Sequence, residues 1–250
     1  MRQHSRRVSR DQYDAVLFDL DGVVTNTASL HAMCWKQMFD EYLQKRARHR
    51  GEAFRPFDLA TDYRLYVDGK PRFDGVRDFL SSREIQLPEG DPDDTAEVET
   101  VCGLGNRKND LVNHLIADVG VEPYDGTVRF IRQVRRNGFK IAVVTSSQNC
   151  TAVLKAARLD DLFEVRVDGN SIEEQGLAGK PAPDTYLIAA KQLRVEPKRS
   201  VVIEDAISGV QAGVNGNFGL VIGIARKGNA EELKRHGAHL VVEDLAELLD

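Results

Sequence analysis

The sequence predicts an α/β protein: a parallel sheet core with a mostly helical module inserted after its first strand. Three observations carry this expectation. Short apolar runs rich in β-branched residues recur after residue 120, at Ile141-Ala142-Val143-Val144, Val201-Val202-Ile203, Leu220-Val221-Ile222 and Leu240-Val241-Val242. Continuous runs of this length, without polar alternation, mark strands buried on both faces. The segments between them are long enough for the crossover helices that parallel neighbours require. Finally, a run of the same texture, Ala15-Val16-Leu17-Phe18, stands far upstream, separated from the others by residues that look different. Together these describe a Rossmann-like sheet interrupted by an insertion.

The elements follow in order. Residues 1–12, beginning MRQHSRRVSR, are basic and are expected to form a mobile tail. The first strand and its exit occupy 13–27. Residues 28–119 carry helical patterns at Leu30 to Tyr42 and Asn109 to Ala117, with the charged, Pro/Gly-bearing stretches DGKPRFDG and LPEGDPDD between them. No buried strand is expected in this helical domain, and linkers are expected near Thr27 and Gly120. Residues 120–250 complete the core with the four later strands and their helices. No internal repeat or low-complexity tract is evident.

Composition narrows the classes of function. A chain of 250 residues with 42% hydrophobic content can bury a proper core without staples. The net charge of -5 gives no global attraction to nucleic acid or to an anionic membrane, and no obligate protein partner is evident. The start lacks the apolar stretch of a secretory signal and no segment resembles a membrane span. Cys34, Cys102 and Cys150 are far apart and form no C-x-x-C, which suits buried thiols in a reducing compartment. The expected location is the cytoplasm.

The chemistry gathers at strand ends. Asp19 and Asp21 follow the first strand in LFDLDGVVT, Thr145-Ser146-Ser147 follows the second run, and Glu204-Asp205 follows the third. Ligands of open parallel sheets bind at the carboxyl ends of strands, so these clusters are expected to share one crevice. An EF-hand is a poor reading of the aspartates, because Gly22 comes too early and Leu30 stands at the closing position. Asp-Gly is also a turn signal, and Glu204-Asp205 also suits a helix N-cap. Lys180, in Gly179-Lys180-Pro181-Ala182-Pro183-Asp184, lies where prolines rule out helix until about residue 183. Carboxylates, hydroxyls and a lysine form one coherent set. The carboxylates suit a hard cation such as Mg²⁺, and the hydroxyls and lysine suit a phosphoryl group.

FDLDGVVT, TSS after a strand, GKPAPD and IEDAISGVQAG resemble the four motifs of the haloacid dehalogenase superfamily, in that family's order. The resemblance covers nearly the whole chain after the tail and makes the insertion a helical cap. It implies that Asp19 is a nucleophile forming an aspartyl-phosphate and that Asp21 is the general acid/base. It also implies that Ser146 bonds the phosphoryl group and that Lys180 neutralises the nucleophile. Mg²⁺ would be held by Asp19, the backbone carbonyl of Asp21 and Asp205, assisted by Glu204.

Within the superfamily, Thr27-Ala28-Ser29-Leu30-His31 with Trp35, and Arg107-Lys108-Asn109-Asp110, resemble the cap of the β-phosphoglucomutase-like subgroup. This implies sugar-phosphate contacts from His31, Trp35 and Lys108, and from Ser147, Gln148 and Asn149 after the second strand. Core packing for Trp35 and a polar hinge contact for His31 stand beside that reading. Arg77 is expected to hold the distal phosphate, with Lys70 or Arg72 as alternatives, because DGKPRFDGVRDFLSSR departs from the usual wording there. The activity implied is conversion of β-glucose 1-phosphate to glucose 6-phosphate, with a sugar-phosphate phosphatase as the alternative.

Overall fold

The computed structural model describes residues 8–226 and 228–250. In chain order its elements are β1 (Ala15–Phe18), α1 (Ala28–Arg50), α2 (Arg72–Ser82), α3 (Val101–Val119), α4 (Asp125–Arg136), β2 (Lys140–Val144), α5 (Cys150–Ala156), β3 (Val165–Val167), α6 (Gly169–Gln175), α7 (Asp184–Leu193), β4 (Ser200–Glu204), α8 (Ile207–Asn215), β5 (Leu220–Ile224), α9 (Ala230–Arg235) and β6 (Leu240–Val242). Two compact units divide the chain. One is Thr27–Gly120 and the other comprises the residues through Asn26 together with Val121–Asp250. The helical unit is thus one residue wider at each end than the expected 28–119.

The larger unit is a six-stranded parallel sheet in the order β3-β2-β1-β4-β5-β6. The chain winds outward from β1 in one direction, then returns beside β1 as β4 and winds the other way, so the strand order reverses between β1 and β4. That reversal opens a crevice at the carboxyl ends. Register fixes what lies there: Phe18 is level with Val143 on one side and Ile203 on the other. Asp19, Thr145 and Asp205 therefore leave the sheet close to one another. Every residue of β1 and β4 is buried, which is why these strands read as unbroken apolar runs. Leu17, Ala142, Val202 and Val221 pack against Tyr186, Ala189 and Leu193 of α7 and Val210 of α8.

The helical unit has its own core, built from Trp35, Met38, Phe39, Tyr42, Phe57, Val76, Phe79, Val101 and Leu104 among others. The helix α1 runs well past the expected Tyr42 and ends at Gly51, whose φ of 67° suits the left-handed residue that closes a helix. The basic Arg48, His49 and Arg50 of its last turn complement the helix dipole. The helix α3 starts well before the expected Asn109, capped by the Thr100 hydroxyl, which accepts from the Gly103 amide at 2.9 Å.

Two expectations are corrected. The strand β3 was not foreseen, because Val-Arg-Val is three residues long and carries a charge, and only its pairing with β2 makes it a strand. Part of the expected mobile tail is tied down. The Gln12 and Tyr13 amides donate to the Ser9 carbonyl, and Arg199 reaches the carbonyls of Arg10 and Asp11. The first seven residues lie outside the described ones. The three cysteines are free and buried. Among the described residues no helix is long and apolar enough to cross a membrane.

Candidate active site

Lys180 is the centre of the site in the sheet unit. It precedes α7 in a loop that Pro181 and Pro183 keep from being helical, and its side chain is wholly buried. Its ammonium has three protons and three acceptors: Asp19 Oδ1 at 2.6 Å, Glu204 Oε1 at 2.6 Å and the Val144 carbonyl at 3.3 Å. One lysine thus ties together the ends of β1, β2 and β4. Glu204, the last residue of β4, is saturated. Its Oε1 also accepts from the Tyr186 hydroxyl at 2.8 Å, and its Oε2 accepts from the amides of Asp205 and Ala206 at 3.1 and 3.2 Å. A metal would reach Glu204 only by displacing one of these bonds.

Two glycines let the backbone come this close. A Cβ on Gly209 would stand 1.7 Å from Glu204 Oε1, and a Cβ on Gly22 would stand 2.1 Å from Asp205 Oδ2. Gly22 also has a φ of +96°, the left-handed region that other residues avoid. The Asp-Gly turn after β1 is therefore real, but it is one that folds against a carboxylate.

Burial, reinforced by Glu204, Asp21 and Asp205, lifts the Asp19 carboxyl well above its ordinary 3.8, although Lys180 pulls it down. Burial likewise works against a charged Lys180, yet Asp19 and Glu204 hold it above its ordinary value. An isolated ion pair would lower the acid as it raised the base. Here both rise, since burial, with the neighbouring carboxylates adding to it, outweighs the pull of Lys180 on Asp19, while two carboxylates together hold Lys180 up. Asp19, Glu204 and Asp205 each offer an oxygen within 4.8 Å of the others, and all three are buried. An oxygen-only set with surplus negative charge fits a hard divalent cation.

The side chain of Asp21 goes elsewhere. Its Oδ2 accepts from the Thr145 hydroxyl at 3.1 Å, and the Thr145 oxygen in turn accepts from the Ser147 amide at 3.1 Å. The hydroxyl that sequence reasoning assigned to the phosphoryl site was that of Ser146, which is half-buried with its carbonyl against Gly169. Thr145 beside it is buried and bonded to Asp21, and it directly follows β2 as Asp19 directly follows β1. Beyond it, Ser147 Oγ accepts from the Asn149 amide at 3.2 Å, and Asn149 is buried at the start of α5. The Gln148 side-chain amide donates to Glu173 of α6 at 2.9 Å.

The helical unit brings together His31 and Lys108 but not Arg77. Lys108 Nζ lies 2.8 Å from His31 Nδ1 and 5.0 Å from the centre of the Trp35 ring, all three buried. Trp35 itself is core: it stacks on Phe39 at 5.4 Å, and Gly75 of α2 presses on its far edge. Its ring face lies against the Lys108 ammonium, a cation–π contact. Arg77 is instead seen with carboxylate partners: its guanidinium chelates Glu89, with Nε at 3.0 Å and a second nitrogen at 2.7 Å, and also pairs with Asp74. Lys70 is likewise paired, to Asp78 at 2.5 Å. Arg72 is placed differently. It opens α2, lies over the Phe73 ring, bonds neutral Asn106 at 3.1 Å and packs on Gly105, one turn of α3 before Lys108.

Comparison with known proteins agrees with this geometry. Residues 13–217 match the haloacid dehalogenase-like hydrolase family. The chain is 55% identical over 238 residues to a β-phosphoglucomutase of Mycobacterium bovis, covering 94% of this chain and 91% of that one. It is 30% identical to a β-phosphoglucomutase of Bacillus subtilis, covering 79% and 77%. The crystal structure of a β-phosphoglucomutase from Clostridium difficile superposes with a TM-score of 0.72 at 26% identity, covering 95% and 93%.

Proposed function

Because the chain belongs to the haloacid dehalogenase-like hydrolase family, in its β-phosphoglucomutase-like subgroup, and is an enzyme of phosphoryl transfer, we propose that it converts β-glucose 1-phosphate to glucose 6-phosphate through an aspartyl-phosphate on Asp19. The observation that carries this reading is the Asp19–Lys180–Glu204 arrangement, in which a buried carboxylate at a strand end is held by a buried ammonium. The identity to the mycobacterial enzyme supports the choice of substrate.

Asp19, Asp205 and the backbone carbonyl of Asp21 would hold Mg²⁺, with Glu204 close behind them. When bound, the ion supplies charge that screens the nucleophile from an anionic phosphate and aligns the two. Asp19 attacks phosphorus in line, and the bond from phosphorus to the bisphosphate's sugar oxygen breaks. Asp21 gives that oxygen a proton. In the other direction Asp21 takes the proton from the sugar hydroxyl that attacks the aspartyl-phosphate. Lys180, with three fixed acceptors, neutralises the transferring charge without reorganising. We assign the phosphoryl-binding hydroxyl to Thr145, which also steadies Asp21, with Ser146, Ser147 and Asn149 lining the same turn.

A mutase needs a second phosphate site. Arg72 at the start of α2 and Lys108 on α3 provide cationic groups, with His31 of α1 against Lys108, and we assign the distal phosphate to Arg72, whose planar fork binds phosphate bidentately. The protein is proposed to work in the cytoplasm on a small sugar phosphate. The test is phosphorus NMR of wild-type enzyme with β-glucose 1-phosphate, Mg²⁺ and a priming bisphosphate. Glucose 6-phosphate should form faster than inorganic phosphate. Inorganic phosphate as the main product would make the enzyme a phosphatase.

A further inference from the structure

Tyr186 has no role in the scheme above, yet it touches both members of the ion pair on which that scheme turns. It lies on the first turn of α7, six residues beyond Lys180, and is wholly buried. Its hydroxyl donates to Glu204 Oε1 at 2.8 Å, the same oxygen that accepts from Lys180 at 2.6 Å. Its ring face lies 5.0 Å beneath the Lys180 ammonium. Its far side is fixed edge-on against Phe218 at 5.9 Å.

A buried ammonium between two carboxylates has a choice of partner. If Glu204 held Lys180 alone, with its full charge on one oxygen, the lysine would be drawn away from Asp19. A hydroxyl donating to that oxygen takes up part of its charge. The two amides on Oε2 and the Gly209 backbone packed beside Oε1 keep the carboxylate from rotating toward the lysine. The ring beneath blocks movement of the ammonium toward α7. Retaining a polar hydroxyl in so apolar a layer is expensive unless that hydroxyl is used.

We propose that Tyr186 is a positioning residue: it pins Glu204 and floors Lys180 so that the ammonium stays directed at Asp19. The proposal rests on the assignment of Asp19 as nucleophile, and its test separates the two. Tyr186→Phe keeps the ring, and its packing on Phe218, and removes only the hydroxyl. Two readouts are made on full-length protein. In rapid-quench experiments with Mg²⁺ and a phosphoryl donor, Tyr186→Phe should form phosphoenzyme about tenfold more slowly, the scale of one hydrogen bond to a charged group. KM should change less than twofold. In the Glu204→Gln background the same substitution should cost almost nothing, because the two act as a unit. Independently of turnover, ¹⁵N-lysine NMR should show the Lys180 ammonium exchanging with water faster in Tyr186→Phe than in wild type. A rate within twofold of wild type, an equal loss in both backgrounds, or an unchanged ammonium resonance overturns the proposal. A wild-type enzyme that forms no phosphoenzyme overturns the nucleophile assignment instead, and the ammonium exchange still decides the role of Tyr186.

Discussion

Replacing Lys180 with methionine, which has similar length and no charge, isolates what the ammonium does. In the native protein it makes two charge-assisted bonds of 2.6 Å inside a wholly buried site. At about 1.5–3 kcal/mol net for each such bond, their loss amounts to roughly 3–6 kcal/mol. That agrees with the approximately 3–5 kcal/mol found when one partner of a buried pair is removed and the other charge is left behind. In a domain of this size it lowers the melting temperature by roughly 10 °C. The rate of phosphoryl transfer should fall by about 10²–10³, the scale of a lost preorganised charge stabiliser.

The pH dependence gives the sharper check. Burial and neighbouring carboxylates already raise Asp19 above 3.8 in the folded state. Removing Lys180 removes the group that opposes this, so Asp19 rises further and the folded state binds a proton that the unfolded state does not. Stability then falls as pH rises from the unfolded-state value through the folded one. The penalty of Lys180→Met should therefore be larger at pH 8 than at pH 5, because acidification lets the raised Asp19 carboxyl take up its proton. Thermal unfolding of both proteins across that range measures it. A methionine variant as stable as wild type at pH 8, or a penalty that grows on acidification, would refute the account of the site as an undercompensated carboxylate cluster.

Three further outcomes are expected. Asp19→Asn should abolish covalent phosphorylation, as judged by intact mass after treatment with a phosphoryl donor, while the fold seen by circular dichroism is kept. Thr145→Val, which keeps the shape but loses the bonds to Asp21 and the Ser147 amide, should lower kcat by about 10² and stability by about 1–2 kcal/mol, whereas Ser146→Ala should change the rate far less; steady-state kinetics and urea melts compare them. Arg72→Ala should depress isomerisation much more than ester hydrolysis. Arg77→Ala should leave both rates alone, because its guanidinium already serves Glu89 and Asp74; product ratios by phosphorus NMR separate the two.

Much of this arrangement was legible in the chain. The strands beside the crevice announce themselves because burial on both faces demands unbroken apolar runs, and β1 and β4 are buried at every position. Asp19, Lys180, Glu204 and Asp205 could be collected because a parallel sheet delivers strand ends to one edge. What sequence could not supply was side-chain commitment. Arg77 looks like a phosphate ligand until Glu89, twelve residues on in a loop, is seen to chelate it. Gln148 looks available until Glu173 is seen across the turn. Trp35 and Lys108 are far apart in the chain, and only the packing of α1 on α3 turns an aromatic ring into the support of an ammonium. Tyr186 gave no signal at all, since a tyrosine on an otherwise apolar helix face reads as core.

These misses have a common cause, which bears on how the site is built. Surface cations such as Arg77 and Lys70 find carboxylates nearby because the chain is rich in both signs, and a paired guanidinium has little left for a ligand. Burial fixes the partners of other cations instead: in the sheet unit Lys180 can reach only the acceptors that β1, β2 and β4 present to it, the Asp19 and Glu204 carboxylates and the Val144 carbonyl. In the helical unit Lys108 is buried against a His31 ring nitrogen on one side and the Trp35 π face on the other. These two cations are thus set apart from Arg77 and Lys70 less by residue type than by burial, which holds a side chain to a fixed set of partners and which sequence reports only indirectly.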